Sequence, residues 1–251
     1  MSLFDLTGKV VAITGSTRGI GFAIARHMGQ AGAHVILSSE VAADVTAAVA
    51  ALAGEGLSVS GLRCDVTQAA DLAALVDHAR ALGGLDVLVC NAGITGAAGD
   101  ATVEDFDRVM GINLRSMVAL TNLALPHLAE RQGSVILISS LSALRGNAMI
   151  NAYALAKAGV SQLARNIAVQ WGPDGVRANA IAPGLIRTEF SGSLMANAAF
   201  MARRMQMTPL RRMGTVDEVA GTALFLASAA GGFVTGQTLV VDGGTAVTDG
   251  S

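Results

Sequence analysis

Lys9-Val-Val-Ala-Ile-Thr-Gly-Ser-Thr-Arg-Gly-Ile-Gly21 joins a short apolar run to a glycine-rich turn, and Phe22-Ala-Ile-Ala-Arg-His-Met continues in a helical pattern. A β-branched run of this length is typical of a strand buried on both faces of a parallel sheet. Strand, glycine turn and helix in this order form the first half of a dinucleotide-binding unit, because glycines let the amides at a helix N-terminus approach a pyrophosphate. The spacing of Gly15, Gly19 and Gly21 differs from the general Gly-x-Gly-x-x-Gly, and an ordinary turn is the alternative.

Predicted strands and helices alternate along the rest of the chain. Besides residues 9–14, apolar runs predict strands over 34–40, 57–64, 85–90, 134–140, 176–182 and 236–244. The segments between them have helical spacing, and Thr215-Val-Asp-Glu218 has the capping-box pattern that opens the last helix. No repeat, low-complexity tail or linker interrupts the alternation. We therefore expect residues 1–251 to form a single doubly wound α/β domain, with a mostly or wholly parallel seven-stranded sheet and helices on both faces.

Composition excludes several classes of function. The 251 residues are 52% hydrophobic and 14% charged, with a net charge of −2, so no overall field attracts nucleic acid. Every apolar stretch is shorter than the roughly 18 residues that a membrane helix needs. The N-terminus carries Asp5 and lacks the pattern of a signal peptide, and Cys64 and Cys90 in predicted strands are typical of reduced core cysteines. We expect a cytoplasmic protein with no nucleic-acid, membrane or metal partner.

Two residues near the predicted adenosine ribose indicate different coenzymes. Glu40 ends the second strand about twenty residues after the glycines, where a carboxylate can accept hydrogen bonds from the ribose hydroxyls of NAD. Arg18, inside the glycine turn, could instead pair with the 2′-phosphate of NADP. A solvated loop charge is the alternative for Glu40.

Small and polar residues follow the third and fourth strands. Asp65 and Val66 come after the third strand, where Asp65 either contacts the adenine or caps the strand end. Asn91-Ala92-Gly93 ends the fourth strand, and small residues fit where a dinucleotide passes closely over the sheet. The spacing then predicts one helix over 103–128 with Asn113 in its middle. A buried amide there requires a kink or a bound water, and an exposed Asn is the alternative.

Ser140, Tyr153 and Lys157 are the candidate chemical groups. Ser140 ends the fifth strand, at the edge where open α/β sheets place their sites. Tyr153 is the only tyrosine, and Lys157 follows it by one helical turn on a helix predicted to end near Trp171. A free phenol titrates near pH ~10, so the ammonium should lower the pKa of Tyr153 and make it a better base. Taken alone, this spacing also fits an ordinary pair on a helix surface.

Residues 188–210 differ from the rest of the chain in being rich in Met and Phe. The apolar members include Phe190, Leu194, Met195, Phe200, Met201, Met205 and Met207. Such a segment predicts an adaptable lid over an apolar ligand, and an amphipathic helix packed on the core is the alternative. Arg203, Arg204, Arg211 and Arg212 lie in or beside it, either as a basic entrance or as a solvated helix face.

Together these motifs resemble the short-chain dehydrogenase/reductases. The matching residues are Thr14-Gly-Ser-Thr-Arg-Gly-Ile-Gly21, Asn91-Ala-Gly93, Asn113, Ser140, Tyr153-x-x-x-Lys157 and Pro183-Gly-Leu-Ile-Arg-Thr188, and the resemblance extends to Val240-Val-Asp-Gly-Gly244. It implies a Rossmann-type oxidoreductase that transfers a hydride between a nicotinamide cofactor and a ketone or secondary alcohol, with the lid favouring an apolar or medium-sized substrate. A 3-oxoacyl-thioester reductase is the alternative, and a non-catalytic dinucleotide-binding regulator is a more distant one.

The resemblance also implies a role for each matching residue. Tyr153 would be the acid/base, Lys157 would lower its pKa and hold the nicotinamide ribose, and Ser140 would bind the substrate oxygen. Asn113 would hold a water that links Lys157 to solvent. The residues implied along the pyrophosphate are Gly15, Gly19, Ile20 and Gly21, and those implied at the adenine are Asp65 and Val66. The residues implied under the adenosine ribose are Asn91, Ala92 and Gly93, and those implied around the nicotinamide are Pro183, Gly184, Ile186 and Thr188.

Three positions depart from the family pattern. Cys90 replaces the first Asn of an Asn-Asn-Ala-Gly motif, and Ala156 stands where Ser is frequent. Ser39 stands where members that prefer NAD commonly carry Asp, and Glu40 where many that prefer NADP carry Arg. Because a carboxylate repels a 2′-phosphate, we expect NAD rather than NADP. The resemblance further implies a homotetramer assembled through the long helices and the last strand.

Overall fold

The structure is a computed structural model that describes residues 2–97 and 102–248. Within these residues the chain forms seven strands: β1 (Val10–Ile13), β2 (His34–Ser39), β3 (Val59–Arg63), β4 (Val87–Cys90), β5 (Ser134–Ile138), β6 (Arg177–Pro183) and β7 (Thr238–Val241). They form one sheet in the order β3-β2-β1-β4-β5-β6-β7, and every neighbouring pair is parallel. The predicted doubly wound α/β fold is confirmed, and its sheet is wholly parallel.

Helices cover both faces of the sheet. The α-helices in the described residues are α1 (Gly19–Gln30), α2 (Ala42–Gly54), α3 (Ala69–Ala81), α4 (Val103–Met110), α5 (Ser116–Glu130), α6 (Asn151–Trp171), α7 (Gly192–Met195), α8 (Ala198–Gln206) and α9 (Val216–Ala227). One face packs against α3, α5 and α6, and the other packs against α1, α2 and α9. None of these helices is long and apolar enough to cross a membrane.

Alternating side chains of each strand enter two separate cores. In β1, Val10 and Ala12 contact the α3, α5 and α6 side, while Val11 and Ile13 contact the α1 and α9 side. Burial of one such aliphatic side chain contributes about 1.5–3 kcal/mol, so both faces of a central strand must be apolar. This requirement explains why the strands read as continuous apolar runs rather than as alternating ones.

The helix predicted over 103–128 differs from the structure. It is divided into α4, a π-helical segment at Gly111–Arg115, and α5. Asn113 lies in the π-helical segment and is fully buried, so the exposed alternative is wrong. A π-helical turn widens the helix by one residue and is frequent at functional sites. The widened turn lets Asn113 reach the segment that follows β4.

Candidate active site

The strand order brings four predicted segments to one edge of the sheet. β1, β4, β5 and β6 are consecutive neighbours and run in the same direction, so their carboxyl ends lie side by side. The glycine turn follows β1, residues 91–93 follow β4, Ser140 follows β5 and residues 184–188 follow β6. An edge of this kind is where open α/β sheets bind ligands.

The glycine turn leaves the N-terminus of α1 open. Gly15 and Gly19 adopt φ values of 61° and 57°, which side chains other than glycine rarely adopt. Arg18, at the N-cap, makes no side-chain capping bond, and the first turn contains no acidic residue. The first amides of α1 are therefore available to an anion, and the helix dipole favours negative charge there. This geometry fits a pyrophosphate.

Thr14 and Asn91 join the glycine turn to the end of β4. The side-chain amide of Asn91 donates to the backbone oxygens of Thr14 at 3.1 Å and Gly15 at 2.7 Å. The Thr14 hydroxyl oxygen accepts from the backbone N–H groups of Asn91 at 3.0 Å and Ala92 at 3.2 Å. Asn91 is predicted to contact the ribose, but its side-chain amide donates its hydrogen bonds to the glycine turn. Sequence reasoning assigned no role to Thr14, although a hydroxyl directly before the first glycine was the available signal.

Tyr153 and Lys157 lie on the same face of α6, at the end of β5. The Lys157 Nζ is 5.6 Å from the centroid of the Tyr153 ring and donates a hydrogen bond to the backbone oxygen of Ile138 at 2.7 Å. Lys157 is buried, with only 3% of its surface exposed. Tyr153 is partly buried, and the Ser140 side chain lies close enough to affect its titration. The three predicted groups therefore converge, and the surface-pair alternative for Lys157 is wrong.

Ser139 holds α6 against β5 and was missed by sequence reasoning. Its hydroxyl donates to the backbone oxygen of Lys157 at 2.8 Å and lies 2.9 Å from the Ser161 hydroxyl oxygen. Both serines are buried. Because these contacts attach the helix at the turn that carries Lys157, they set the distance between the ammonium and the sheet. The signal available in the sequence was only a second serine beside Ser140.

Burial determines the titration of both groups. Burial raises the pKa of the Tyr153 phenol, and the interaction with Ser140 opposes that shift. Burial also lowers the pKa of the Lys157 ammonium to about 8, with Cys90 acting in the opposite direction. The expected lowering of the Tyr153 pKa by Lys157 is therefore not found in this state. The physical reason is that removing the phenol from water disfavours its anion.

Asn113, Gly93 and Lys157 lie together behind the phenol. The Asn113 side chain accepts from the N–H of Ile94 at 2.9 Å and donates to its backbone oxygen at 2.7 Å. A β-carbon added at Gly93 would lie 2.6 Å from Asn113 Oδ1 and 3.4 Å from Lys157 Nζ. Glycine is therefore required where the segment after β4 passes close to the Asn113 amide and the Lys157 ammonium. The role of Asn113 in holding a water stays a prediction.

The adenosine end of the site is mostly acidic. Glu40 is exposed at the end of β2, and the buried Ser39 donates to its carboxylate at 3.3 Å. Arg18 points toward Glu189 instead, with 4.0 Å between Nε and the carboxylate oxygen. A cavity of about 350 Å³ beside Arg18 is lined by both Asp44 and Glu189. Any 2′-phosphate placed near Arg18 would meet these carboxylates.

Asp65 fits the capping alternative that the sequence left open. One carboxylate oxygen accepts from the backbone N–H of Thr67 at 2.9 Å and from its hydroxyl at 2.7 Å. These bonds stabilise the carboxylate and lower the pKa of Asp65. Val66 follows directly and packs at the border of the core formed with α3. The pair lies at the end of β3, where the adenine is expected.

The segment after β6 crosses over the glycine turn. The Gly184 N–H donates a hydrogen bond to the backbone oxygen of Val241 at 2.9 Å, and Ile186 is buried. A β-carbon at Gly19 would lie 3.7 Å from a methyl carbon of Thr188. The predicted nicotinamide segment, from Pro183 to Thr188, therefore ends beside the predicted pyrophosphate residues.

Residues 188–210 lie beside this edge of the sheet. They contain α7 and α8, and α8 buries none of its residues, which does not fit a helix packed on the core. The ring of Phe190 lies 6.4 Å from the ring of Tyr153 and is 55% exposed. The Thr208 hydroxyl oxygen lies 3.0 Å from that of Thr245, which attaches the end of α8 to the segment after β7. An apolar surface thus lies beside the phenol.

Two of the four arginines in this region are occupied within the chain. Arg212 bonds to the Glu218 carboxylate at 2.5 and 2.9 Å, and Arg211 donates to the backbone oxygen of Gln206. Neither is free to form a basic entrance. Arg203 and Arg204, on α8, are the remaining candidates.

Comparisons with known proteins agree with this geometry. The family model described as enoyl-(acyl carrier protein) reductase matches residues 15–246. Dehydrogenase/reductase SDR family member 4 from Oryctolagus cuniculus is 40% identical over 244 residues, which cover 95% of this chain and 94% of that protein. The structure of a 7α-hydroxysteroid dehydrogenase complexed with NADH and 7-oxo glycochenodeoxycholic acid has a TM-score of 0.92 at 37% identity, with coverage of 96% and 95%. A gluconate 5-dehydrogenase from Burkholderia cenocepacia J2315, in complex with NADP and tartrate, has a TM-score of 0.94 at 35% identity over 98% of both chains.

Proposed function

This chain belongs to the short-chain dehydrogenase/reductase family, and from that premise we propose that Tyr153, Ser140 and Lys157 perform its chemistry. The protein is an oxidoreductase that transfers a hydride between a nicotinamide cofactor and a ketone or secondary alcohol. The observation that supports the residue assignment is the convergence of a phenol, a hydroxyl and a buried ammonium at the sheet edge that also holds the glycine turn.

In the reduction direction, the arrangement gives Ser140 and Tyr153 separate roles. Ser140 donates a hydrogen bond to the substrate oxygen, and Tyr153 gives that oxygen a proton as the carbonyl becomes an alcohol. In oxidation the same phenol, as its anion, removes the alcohol proton. Lys157, fixed by Ile138 and Ser139, holds positive charge beside the ring. A panel of ketones added with NADH or NADPH tests the proposal, and unchanged absorbance with every ketone, and with every alcohol in reverse, would contradict it.

The residues at the sheet edge fit a nicotinamide dinucleotide. When bound, its nicotinamide ring supplies or accepts the hydride. The open amides of α1 would hold the pyrophosphate at Gly15, Gly19, Ile20 and Gly21, and residues 183–188 would surround the nicotinamide. Asp65 and Val66 would lie at the adenine, and Asn91, Ala92 and Gly93 under the adenosine ribose. We propose the relay role of Asn113 on the same family basis.

We expect Gly21→Ala to weaken binding of the dinucleotide at least about tenfold, which corresponds to 1.4 kcal/mol. A β-carbon at Gly21 would overlap the backbone oxygen of Gly15 and lie 2.5 Å from the Asn91 side-chain nitrogen, so the turn would have to move. Fluorescence titration with NADH measures the effect. Gly54→Ala is the matched control because nothing lies within 4 Å of its added carbon. Equal affinity in both variants would remove the turn from the binding site.

NAD is the proposed coenzyme, although the known structures similar to this one include complexes with NADH and with NADP. The support is the acidic surround of the adenosine end. Glu40, Asp44 and Glu189 would all repel a 2′-phosphate, and Glu189 already lies near Arg18.

We expect wild type to bind NADH more tightly than NADPH, and Glu40→Arg to shift the ratio of the two dissociation constants at least about tenfold toward NADPH, since an Arg–phosphate pair is a charge-assisted hydrogen bond. Parallel titrations with both coenzymes measure the ratio. Glu130→Arg, at the end of α5, adds the same charge away from the site and should leave the ratio unchanged. Tighter binding of NADPH by the wild type would mean that Glu40 does not select the coenzyme.

The substrate is proposed to be apolar or medium-sized, since Phe190 presents exposed apolar surface beside Tyr153 and Leu194 of the same segment is also exposed. Residues 188–210 are proposed to act as its lid, within a single domain. A 3-oxoacyl thioester is the second candidate, and the observation favouring it is the description of the matched family model. Turnover of acetoacetyl-thioesters well above that of simple ketones would favour this candidate.

We also propose a cytoplasmic homotetramer. The exposed apolar side chains of Val169 on α6, Phe233 before β7 and Val240 on β7 support assembly through α6 and the last strand. Two free buried cysteines, Cys64 and Cys90, agree with a reducing compartment.

A further inference from the structure

Arg204 differs from the other arginines of the lid in being turned inward without a partner. Its Nε is buried and makes no hydrogen bond to any residue in the described part of the chain. Buried polar groups are nearly always paired, so such a group requires an explanation. Arg203, the neighbouring residue, is exposed instead.

The position of Arg204 relative to the site follows from the contacts of α8. The Thr208 hydroxyl donates to the backbone oxygen of Arg204 at 2.9 Å and lies beside Thr245. Thr245 belongs to the segment after β7, and Asp242 in that segment touches Gly184 of the proposed nicotinamide loop. The last turns of α8 are therefore held next to the nicotinamide end of the site.

A second arginine, Arg145, comes from a different segment of the chain. It lies in the loop between Ser140 and Tyr153, so both ends of that loop are at the reacting position. Arg145 is partly buried, and none of the residues from 2–97 and 102–248 gives it a hydrogen bond or an ion pair. Burial lowers the pKa of the Arg204 guanidinium, and the nearby charge of Arg145 lowers it further.

Within residues 2–97 and 102–248, the carboxylate that acts on Arg204 is Asp242, which counteracts the lowering of the Arg204 pKa. Its own oxygens already accept from the N–H groups of Gly244 at 2.8 Å and Ala246 at 2.6 Å. Arg204 is partly desolvated and its guanidinium is repelled by the charge of Arg145, so one carboxylate beside two cations leaves a net positive charge. An anion placed between them would remove that repulsion.

We propose that Arg145 and Arg204 bind the carboxylate of the substrate, which is an oxo acid or hydroxy acid whose carbonyl or alcohol reacts at Tyr153. The inference rests on the proposed function of that site. A guanidinium group matches a carboxylate with two parallel hydrogen bonds, and two guanidinium groups on different elements fix its position. Phe190, whose ring lies beside that of Tyr153, then contacts the carbon chain between the carboxylate and the reacting carbon.

Matched pairs of ketones test this inference. Each pair consists of an oxo acid and its methyl ester, with two to five carbons between the ketone and the carboxyl group, and kcat/KM is measured for both. Wild type is expected to prefer at least one acid over its ester by about 10- to 100-fold, since hydrogen bonds to charged groups contribute about 1.5–3 kcal/mol. Preference for the ester in every pair would overturn the inference.

Arg145→Gln and Arg204→Gln are expected to reduce the acid-to-ester ratio at least about tenfold, mostly through KM, while turnover of the ester is retained. Arg203→Gln is the matched control on α8 and should keep the wild-type ratio. If Arg204→Gln does not fold, the acid-to-ester ratio of Arg145→Gln, a substitution in the loop, tests the inference by itself. An unchanged ratio in Arg145→Gln overturns the inference but leaves the proposed function intact, whereas loss of ketone turnover of every kind in wild type overturns the function itself.

Discussion

Tyr153→Phe is expected to reduce kcat by about 10³-fold, within the range of 10²–10⁴ that a positioned acid or base contributes. The substitution removes one oxygen atom, which carries the proton that Tyr153 is proposed to give to the substrate oxygen. The ring remains, so its contact with Phe190 and the fold should be retained. The dissociation constant of the dinucleotide should change little. Initial rates with a saturating ketone, together with a dinucleotide titration, measure both quantities.

Phe190→Leu is the control for Tyr153→Phe because it alters the aromatic contact without removing a proton donor. It is expected to change KM more than kcat. Near-normal turnover in Tyr153→Phe, with dinucleotide binding intact, would show that the Tyr153 phenol is not the acid/base. If dinucleotide binding falls as much as turnover, the phenol instead contributes to cofactor binding rather than to proton transfer.

The raised pKa of Tyr153 gives the proposed reaction a pH dependence. A phenol with a raised pKa is fully protonated at neutral pH, so it is ready to act as the acid in reduction. Oxidation requires the phenolate, and its rate should therefore rise as the pH approaches the phenol's pKa. Because Tyr153 is the only tyrosine, the ultraviolet absorbance of tyrosinate reports its titration without background from other residues.

Lys157→Met should lower kcat by about 10²-fold or more and also weaken dinucleotide binding, since Lys157 is proposed to serve both the phenol and the nicotinamide ribose. This combination distinguishes it from Tyr153→Phe, which affects turnover alone. The tyrosinate titration should move to still higher pH in the variant, because the nearest positive charge is removed. Lys9→Arg, on the opposite edge of the sheet, is the control and should leave all three quantities unchanged.

Lys157 should also change how stability depends on pH. Its pKa falls from 10.5 to about 8 on folding, so between these values the unfolded chain binds more protons than the folded chain. The free energy of unfolding of wild type should therefore rise with pH across this window relative to Lys157→Met, by on the order of 3 kcal/mol in total. Below pH 8 the difference between the two proteins should be constant. Denaturant unfolding of the apoproteins at several pH values measures it, and parallel curves would show that burial does not perturb Lys157.

Local patterns were sufficient to predict the seven strands and the glycine turn, and to single out Asn113, Ser140, Tyr153 and Lys157 as candidate site residues. Parallel strands covered on both faces must be apolar along their whole length, so they stand out in the sequence. The same patterns predicted one continuous helix over 103–128. They did not reveal the π-helical segment, whose Asn113 forms its side-chain hydrogen bonds with Ile94, nineteen residues earlier in the chain.

The sequence by itself determined which side chains could react and that Tyr153 and Lys157 share one face of a helix, since helical spacing depends only on covalent geometry. Tertiary structure alone decided how those groups titrate and what surrounds them. The Tyr153 pKa is raised rather than lowered, the Phe190 ring lies beside the phenol, and the charge of Arg145 acts on Arg204. The physical reason is that desolvation and Coulomb interactions depend on distance in space, and the groups responsible come from segments far apart in the chain.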